Sequence, residues 1–370
     1  MKKSPSQGMD RRAFLKASGA IGLGTVATFG PGGDISAQSG SQVADKRIGE
    51  MIDMFPHILP AKYNKALLKK AKPCYYLEAN RVRPALANLE ERFKFMDKVD
   101  GLREVLTLGS PPPEYALSPR DAVDLVRMAN DEMAELVDKY PDRFPAAVAS
   151  LPMNNLDASL REIDRAVHDL KFKGVQIFTS INGKALDRPE FFAIYEKMAQ
   201  YDLPIWLHPC RDQDVPYYPG EKAAKYGLFL FFGWPYETTL ALGRLVFSGV
   251  MEKYPNLKWI AHHCGAMIPF LTARIAPQPL QDGEIMNLTK PPIEYFKKIY
   301  ADTVLGGNTA SMMCGYAFFG AEHMLFGTDY PYPGGAAHEA IIEAIGRMSI
   351  TGQEKANIFS KNAKQLLKLA

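Results

Sequence analysis

The chain has 370 residues, a hydrophobic fraction of 47%, and 44 basic against 41 acidic side chains. With 20 Phe and 17 Tyr it can bury a large core, which excludes a disordered chain. Four cysteines are too few for a disulfide scaffold, and no uncharged apolar run reaches the roughly 20 residues that span a bilayer.

The first segment reads as an export signal. Asp10-Arg11-Arg12-Ala13-Phe14-Leu15-Lys16 is a twin-arginine pattern, and an uncharged stretch runs from Ala17 to Gly30. Ile35-Ser36-Ala37 then offers small residues for cleavage. Residues 1–37 are therefore expected to take the protein through the twin-arginine translocase to the periplasm or beyond. The apolar part is too short for a membrane anchor. These residues carry the whole net charge of +3. The balanced remainder shows no basic footprint for nucleic acid. Cys74, Cys210, Cys264 and Cys314 are scattered without a CxxC, so free buried thiols are expected.

After a polar leader (38–47), residues 48–370 are expected to form one domain. Strand-like runs fall at Ile48–Phe55, Glu104–Leu108, Ala146–Leu151, Gly174–Phe178, Pro204–His208, Leu257–His262, Lys298–Thr303 and Met324–Thr328. Amphipathic helical stretches lie between them, among them Arg120–Lys139, Leu156–Leu170, Glu190–Tyr201 and Glu237–Lys253. Asp157 and Asp187 stand where N-caps are expected, and Pro111-Pro112-Pro113 reads as a loop. Val175-Gln176-Ile177-Phe178 and Ile205-Trp206-Leu207 are nearly continuous apolar runs, as strands covered on both faces should be. Eight such units predict an α/β fold, a (β/α)8 TIM barrel. A doubly wound open sheet is the alternative, and it is weakened because no glycine-rich phosphate loop follows the first strand.

Chemistry in such barrels sits at the C-terminal strand ends. His57 follows the first strand, His208 ends the fifth, His262 and His263 end the sixth, and Asp329 ends the eighth. Each alone has an ordinary structural reading; together they are a ligand set for a divalent metal. His168, His323 and His338 read as structural.

Further motifs sharpen this. Glu237-Thr238-Thr239-Leu240-Ala241-Leu242-Gly243-Arg244-Leu245-Val246-Phe247-Ser248-Gly249-Val250 runs into Lys253-Tyr254-Pro255-Asn256-Leu257-Lys258. With His262-His263-Cys264-Gly265 and Phe326-Gly327-Thr328-Asp329-Tyr330-Pro331, the pattern resembles the amidohydrolase-related family. This is the branch that contains aminocarboxymuconate-semialdehyde, γ-resorcylate and 2,3-dihydroxybenzoate decarboxylases. The resemblance covers nearly all of the chain from Ile48 onward. It implies metal ligands at His57, His208 and Asp329, and a catalytic role for His263 with a pKa suited to neutral pH. Asp329 would both ligate and relay a proton. His262 would point away from the site. The family's first ligand of an H-x-H or E-x-H pair falls on Phe55, which cannot bind a metal. Either three protein ligands suffice, a nearby residue substitutes, or the metal is absent; where present it would be Zn or Mn.

Arg211 could clamp a substrate carboxylate or pair with Asp212 or Asp214. The insertion Asp212–Trp234, with Tyr217 and Trp234 as candidate substrate contacts, reads as a lid over an aryl pocket or as packing at a subunit interface. A homo-oligomer is expected. The implied function is a metal-dependent, non-oxidative carboxy-lyase acting on an aromatic or unsaturated carboxylic acid. A metal-dependent hydrolase of an ester, lactone or amide is the alternative. A third reading is a non-catalytic protein that binds a small carboxylate through a site retired at Phe55.

Overall fold

The apolar runs pair into a parallel barrel. The computed structural model describes residues 49–275, 288–334 and 336–369; the signal segment and the polar leader lie outside the described residues. β1 (Met51–Asp53) breaks at Phe55-Pro56 and resumes as His57–Ile58. β2 is Leu102–Leu108, and β3 comprises Ala146–Ala147 and Ala149–Ser150. β4 is Val175–Phe178, β5 Ile205–His208, β6 Trp259–Ala261, β7 Tyr300–Asp302 and β8 Met324–Leu325. Every ladder between consecutive strands is parallel, from Met51 opposite Leu102 through Val175 opposite Ile205 to Ala301 opposite Met324. Single backbone bonds close β8 onto β1: Met54 N–H donates to Phe326 O at 2.9 Å, and Asp329 N–H to Phe55 O at 3.0 Å.

The strands are shorter than the sequence suggested, because twisted barrel ladders end before the apolar pattern does. Inside, Ile52, Met54, Phe55, Val105, Val148, Trp206, Ile260 and Leu325 form a buried cluster that continues into Ala363, Leu366 and Leu367 of the C-terminal helix. Trp206 fills the interior and donates its indole N–H to Met54 O at 2.8 Å. A larger core lies between the strands and the surrounding helices.

The helices refine the expectations in four places. Leu156–His168 is capped by Asn155, whose side chain accepts from Ala158 N–H, while Asp157 lies in the first turn. Asp187 is no cap and instead holds Arg244 through two hydrogen bonds. The stretch read as Glu237–Lys253 starts earlier, at Trp234, and divides into Trp234–Phe247 and Val250–Lys253 at Gly249, whose φ of +80° cannot continue a helix. The proline run ends in a short helix, Pro113–Ala116. All four cysteines are free, but only Cys264 is fully buried. Among the described residues no helix is long and apolar enough to cross a membrane.

Candidate active site

Four side chains converge at the C-terminal mouth of the barrel. One ligand atom from each of His57, His208, His262 and Asp329 lies within 4.8 Å of the others. His57 Nε2 is 3.2 Å, and His262 Nε2 3.5 Å, from Asp329 Oδ1. The three histidines are 0–1% exposed.

Each imidazole is held by its other nitrogen. Thr107 uses its hydroxyl proton on Pro56 O at 2.6 Å, which leaves its oxygen to accept from His57 Nδ1–H at 3.2 Å. His208 Nδ1–H donates to Pro209 O at 2.7 Å, and His262 Nδ1–H to Asp302 Oδ2 at 2.5 Å. Nδ1 of each ring is thus engaged, and the Nε2 atoms face inward. His57 Nε2 and His262 Nε2 are buried and face only the Asp329 carboxylate. Inward nitrogens beside one carboxylate, each ring backed by a second partner, are what a divalent cation requires.

His262 does not point away from the site, as strand alternation implied. The backbone leaves the extended region immediately after it: His263, Cys264, Gly265 and Ala266 have φ of 57°, 55°, 69° and 58°. Alternation stops at β6, so both histidines can face the mouth. Asp302 fixes this turn, accepting from Cys264 N–H at 2.9 Å and His263 N–H at 3.2 Å. Glycine is required at 265, where a Cβ would come within 2.6 Å of the Phe319 ring. Phe55 occupies the position of the missing ligand and stacks on His262 at 4.2 Å between ring centroids. Of the three alternatives at Phe55, the geometry favours substitution by a neighbour.

Burial opposes charge on His262, but Asp302 and Asp329 outweigh it and push its pKa up to about 9, so a cation held between His262 and Asp329 would displace the Nε2 proton. Burial would also raise Asp329; the facing imidazoles of His262 and His57 instead hold its carboxyl well below the usual range. His208 is pushed down by burial and by its histidine neighbours. His263 lies 3.9 Å from His262 between centroids, and its Nδ1 has no partner among the described residues. Burial and the charge of His262 drive its pKa down to about 3.

Below the site, Arg92 joins Glu104 at 2.6 Å and donates to His57 O at 2.8 Å, with both side chains fully buried. Asp53 accepts from Phe55 N–H at 3.0 Å and from the backbone and hydroxyl of Thr328. His338 lies 3.7 Å from Asp53, outside the four-residue centre. His168 and His323 are peripheral, bonded to Tyr201 and to Lys297 O.

Arg211 pairs with neither Asp212 nor Asp214. It bonds Glu237 at 2.6 Å and stacks over Tyr217 at 4.4 Å. Trp234 stands 5.8 Å from His208 between centroids, forming part of the wall. The insertion thus divides: Tyr217, Phe229 and Trp234 pack inward, while Tyr218, Tyr226, Phe231 and Phe232 are exposed. Sequence reasoning missed Asp302, Thr107 and Tyr332, whose ring lies 5.4 Å from His57. Asp302 carried a usable signal, since it ends an apolar strand as His208 does.

The profile of the amidohydrolase family matches residues 57–369. The 2-amino-3-carboxymuconate-6-semialdehyde decarboxylase of Dictyostelium discoideum is 32% identical over 258 residues, 69% of each chain. The gamma-resorcylate decarboxylase of Rhizobium sp. is 29% identical over 304 residues, covering 76% of this chain and 87% of the relative. Among solved structures, a dihydroxybenzoic acid decarboxylase from Polaromonas sp., with bound manganese and the inhibitor 2-nitroresorcinol, superposes with a TM-score of 0.72 at 25% identity. It covers 87% of this chain and 97% of its own.

Proposed function

This chain belongs to the amidohydrolase family, and from that premise we propose that His57, His208, His262 and Asp329 hold one divalent metal in a carboxy-lyase that removes CO2 from an aromatic carboxylic acid without oxidation. The observation that carries the ligand set is the pair of buried Nε2 atoms of His57 and His262, which face Asp329 Oδ1 at 3.2 and 3.5 Å and have no other partner. His262 takes the ligand role that Phe55 cannot. We propose manganese as the ion, because the Polaromonas relative carries it and a three-nitrogen, one-carboxylate set accommodates it.

The bond that breaks joins the ring carbon to the carboxylate carbon. Its electron pair stays on the ring, CO2 leaves, and a proton is delivered to the vacated carbon. When bound, the cation would orient the substrate's oxygens and stabilise developing anionic charge. The rest falls to the chain. Phe55, Phe178 and Trp234 border the histidines with apolar surface and limit water. His263, whose buried Nδ1 has no partner among the described residues, is placed to relay a solvent proton to the ring carbon, its own protonation unchanged over the cycle. Asp329, held ionised, anchors the centre. Asp302 keeps His262 and His263 in register.

Hydrolysis of an ester, lactone or amide is the less favoured reading, since the curated relatives named above are decarboxylases. The retired-site reading is set aside, because His262 completes the set. The test is turnover of aryl carboxylates under anaerobic conditions in heavy water. One CO2 per product and one deuterium at the vacated carbon are expected. Acid release from esters without CO2 would contradict the reading.

The Arg11-Arg12 pattern supports export of the folded protein, and the exposed aromatics of the insertion support a homo-oligomer. Replacing both arginines by lysine should leave the protein in the cytoplasmic fraction with residues 1–37 attached. Unchanged export would contradict the signal.

A further inference from the structure

Strand alternation turns Ile52, Met54 and Val105 into the barrel and leaves Asp53 and Glu104 on its outer side. There the two carboxylates meet Arg92, from the helix Leu89–Met96, and His338, from the helix Ala336–Arg347. All four side chains are fully buried. Burial raises the pKa of the Glu104 carboxyl against the pull of Arg92, and the charge of Asp53 adds to the rise. Two carboxylates thus share one guanidinium, and the layer is short of donors.

His338 is the donor left over. Neither ring nitrogen has a hydrogen-bond partner among the described residues, and Nε2 is 3.7 Å from Asp53 Oδ2. The ring packs on Phe95 and Tyr330, 4.3 and 5.0 Å away between centroids. Both Asp53 and Tyr330 lead to ligands. Asp53 accepts from the N–H and the hydroxyl of Thr328, the residue before Asp329. The Thr328 oxygen accepts in turn from Tyr330 N–H at 3.2 Å, and Tyr330 O accepts from His57 N–H at 2.6 Å. The β8 and β1 ligands therefore hang on backbone bonds that meet where His338 packs.

We propose that His338 is a positioning residue for the metal centre: its ring N–H steadies Asp53 and its ring face steadies Tyr330, and these two hold Asp329 and His57 in register. This rests on the metal reading of the adjacent centre. A separation of 3.7 Å is too long for a direct hydrogen bond. In a layer closed to water, however, an N–H dipole still acts on a carboxylate at that range. Ligand atoms of Asp53, Glu104 and His338 also lie within 4.8 Å of one another, as around an ion. Arg92 already supplies the cation there, bonding Glu104 at 2.6 Å.

The experiment separates the nitrogens of His338 from its bulk. His338→Gln keeps an N–H donor near Nε2 and loses the ring, whereas His338→Phe keeps a ring and loses both nitrogens. Manganese affinity is read by competition with a chelator, metal content by elemental analysis, and folding by melting temperature. Hydrogen exchange of peptides covering His57 and Thr328, followed by mass spectrometry on metal-free protein, gives a readout that needs no metal. His338→Phe should bind manganese about tenfold more weakly and exchange faster in both peptides, while His338→Gln should stay within about threefold of the wild type. If His338→Phe does not fold, His338→Leu is read in its place with the same expectation. Wild-type affinity without the nitrogens, or a glutamine variant as weak as the phenylalanine one, would overturn the proposal. So would a second equivalent of manganese lost in His338→Phe, since the cluster would then be an ion site. If the wild type bound no manganese, the metal reading would fail separately. The exchange rates would then decide: faster exchange in His338→Phe alone would support the positioning role, and equal rates in all three proteins would overturn it.

Discussion

At His262 the backbone decides what the side chain can do. The sequence shows two adjacent histidines at a strand end, and alternation assigns them to opposite faces. Nothing in a non-glycine residue marks a left-handed turn, so the run of positive φ at His263 and Cys264 was not legible. His57, His208 and Asp329 were legible because each follows an apolar strand. Asp302 positions His262 through a 2.5 Å bond. Asp302→Asn should therefore weaken manganese binding by about 10- to 100-fold with little change in fold, read by titration with a competing chelator. Unaltered affinity would separate Asp302 from the metal. Glu114 gives a pH signature away from that centre. Its folded-state pKa of about 8 stands above the ordinary 4.5. The stability of the neutral form is complete below that ordinary value and is lost as pH rises toward the folded one. Glu114→Gln should thus gain stability over the wild type between pH 5 and 8, by roughly 1–3 kcal/mol. A pH-independent difference in melting temperature would contradict the buried, neutral acid.

Among the elements, β1 was read as a run ending at Phe55, and the structure adds a second segment, His57–Ile58, beyond it. Pro56 lacks an N–H, and the chain resumes its ladder at His57 opposite Thr107. The break places His57 over Arg92, which bonds its carbonyl while pairing with Glu104. Both charges are fully buried, so removing one leaves the other uncompensated. Arg92→Leu should cost about 3–5 kcal/mol in urea unfolding and loosen the β1 ligand. A loss below about 1 kcal/mol would show that the pair does not support the site. The expected eight strands are all present, since their apolar runs are long enough to survive trimming at the ends. The caps at Asp157 and Asp187 were misplaced for a local reason: Asn155 competes for the first, and Arg244 engages the second.

Across the whole molecule, the barrel brings residues separated by up to 272 positions, from His57 to Asp329, into one centre. That convergence follows from strand order and was legible. The lining of the mouth was less so, because loops obey no periodicity: Arg211 found Glu237 rather than its sequence neighbours. The outward aromatics of the insertion, Tyr226 and Phe231, are 82% and 68% exposed. Sedimentation should show a multimer that Phe231→Glu with Phe232→Glu dissociates; a wild-type monomer at micromolar concentration would contradict the homo-oligomer.

His262 ligates the metal and His263 handles the proton, and bound manganese and CO2 release, measured on the same preparations of wild type, His262→Ala and His263→Ala, separate the two roles. About one equivalent of metal is expected in the wild type, little in His262→Ala, and a full equivalent without CO2 release in His263→Ala. A fully metallated His262→Ala, or a His263→Ala that loses the metal, would contradict these roles.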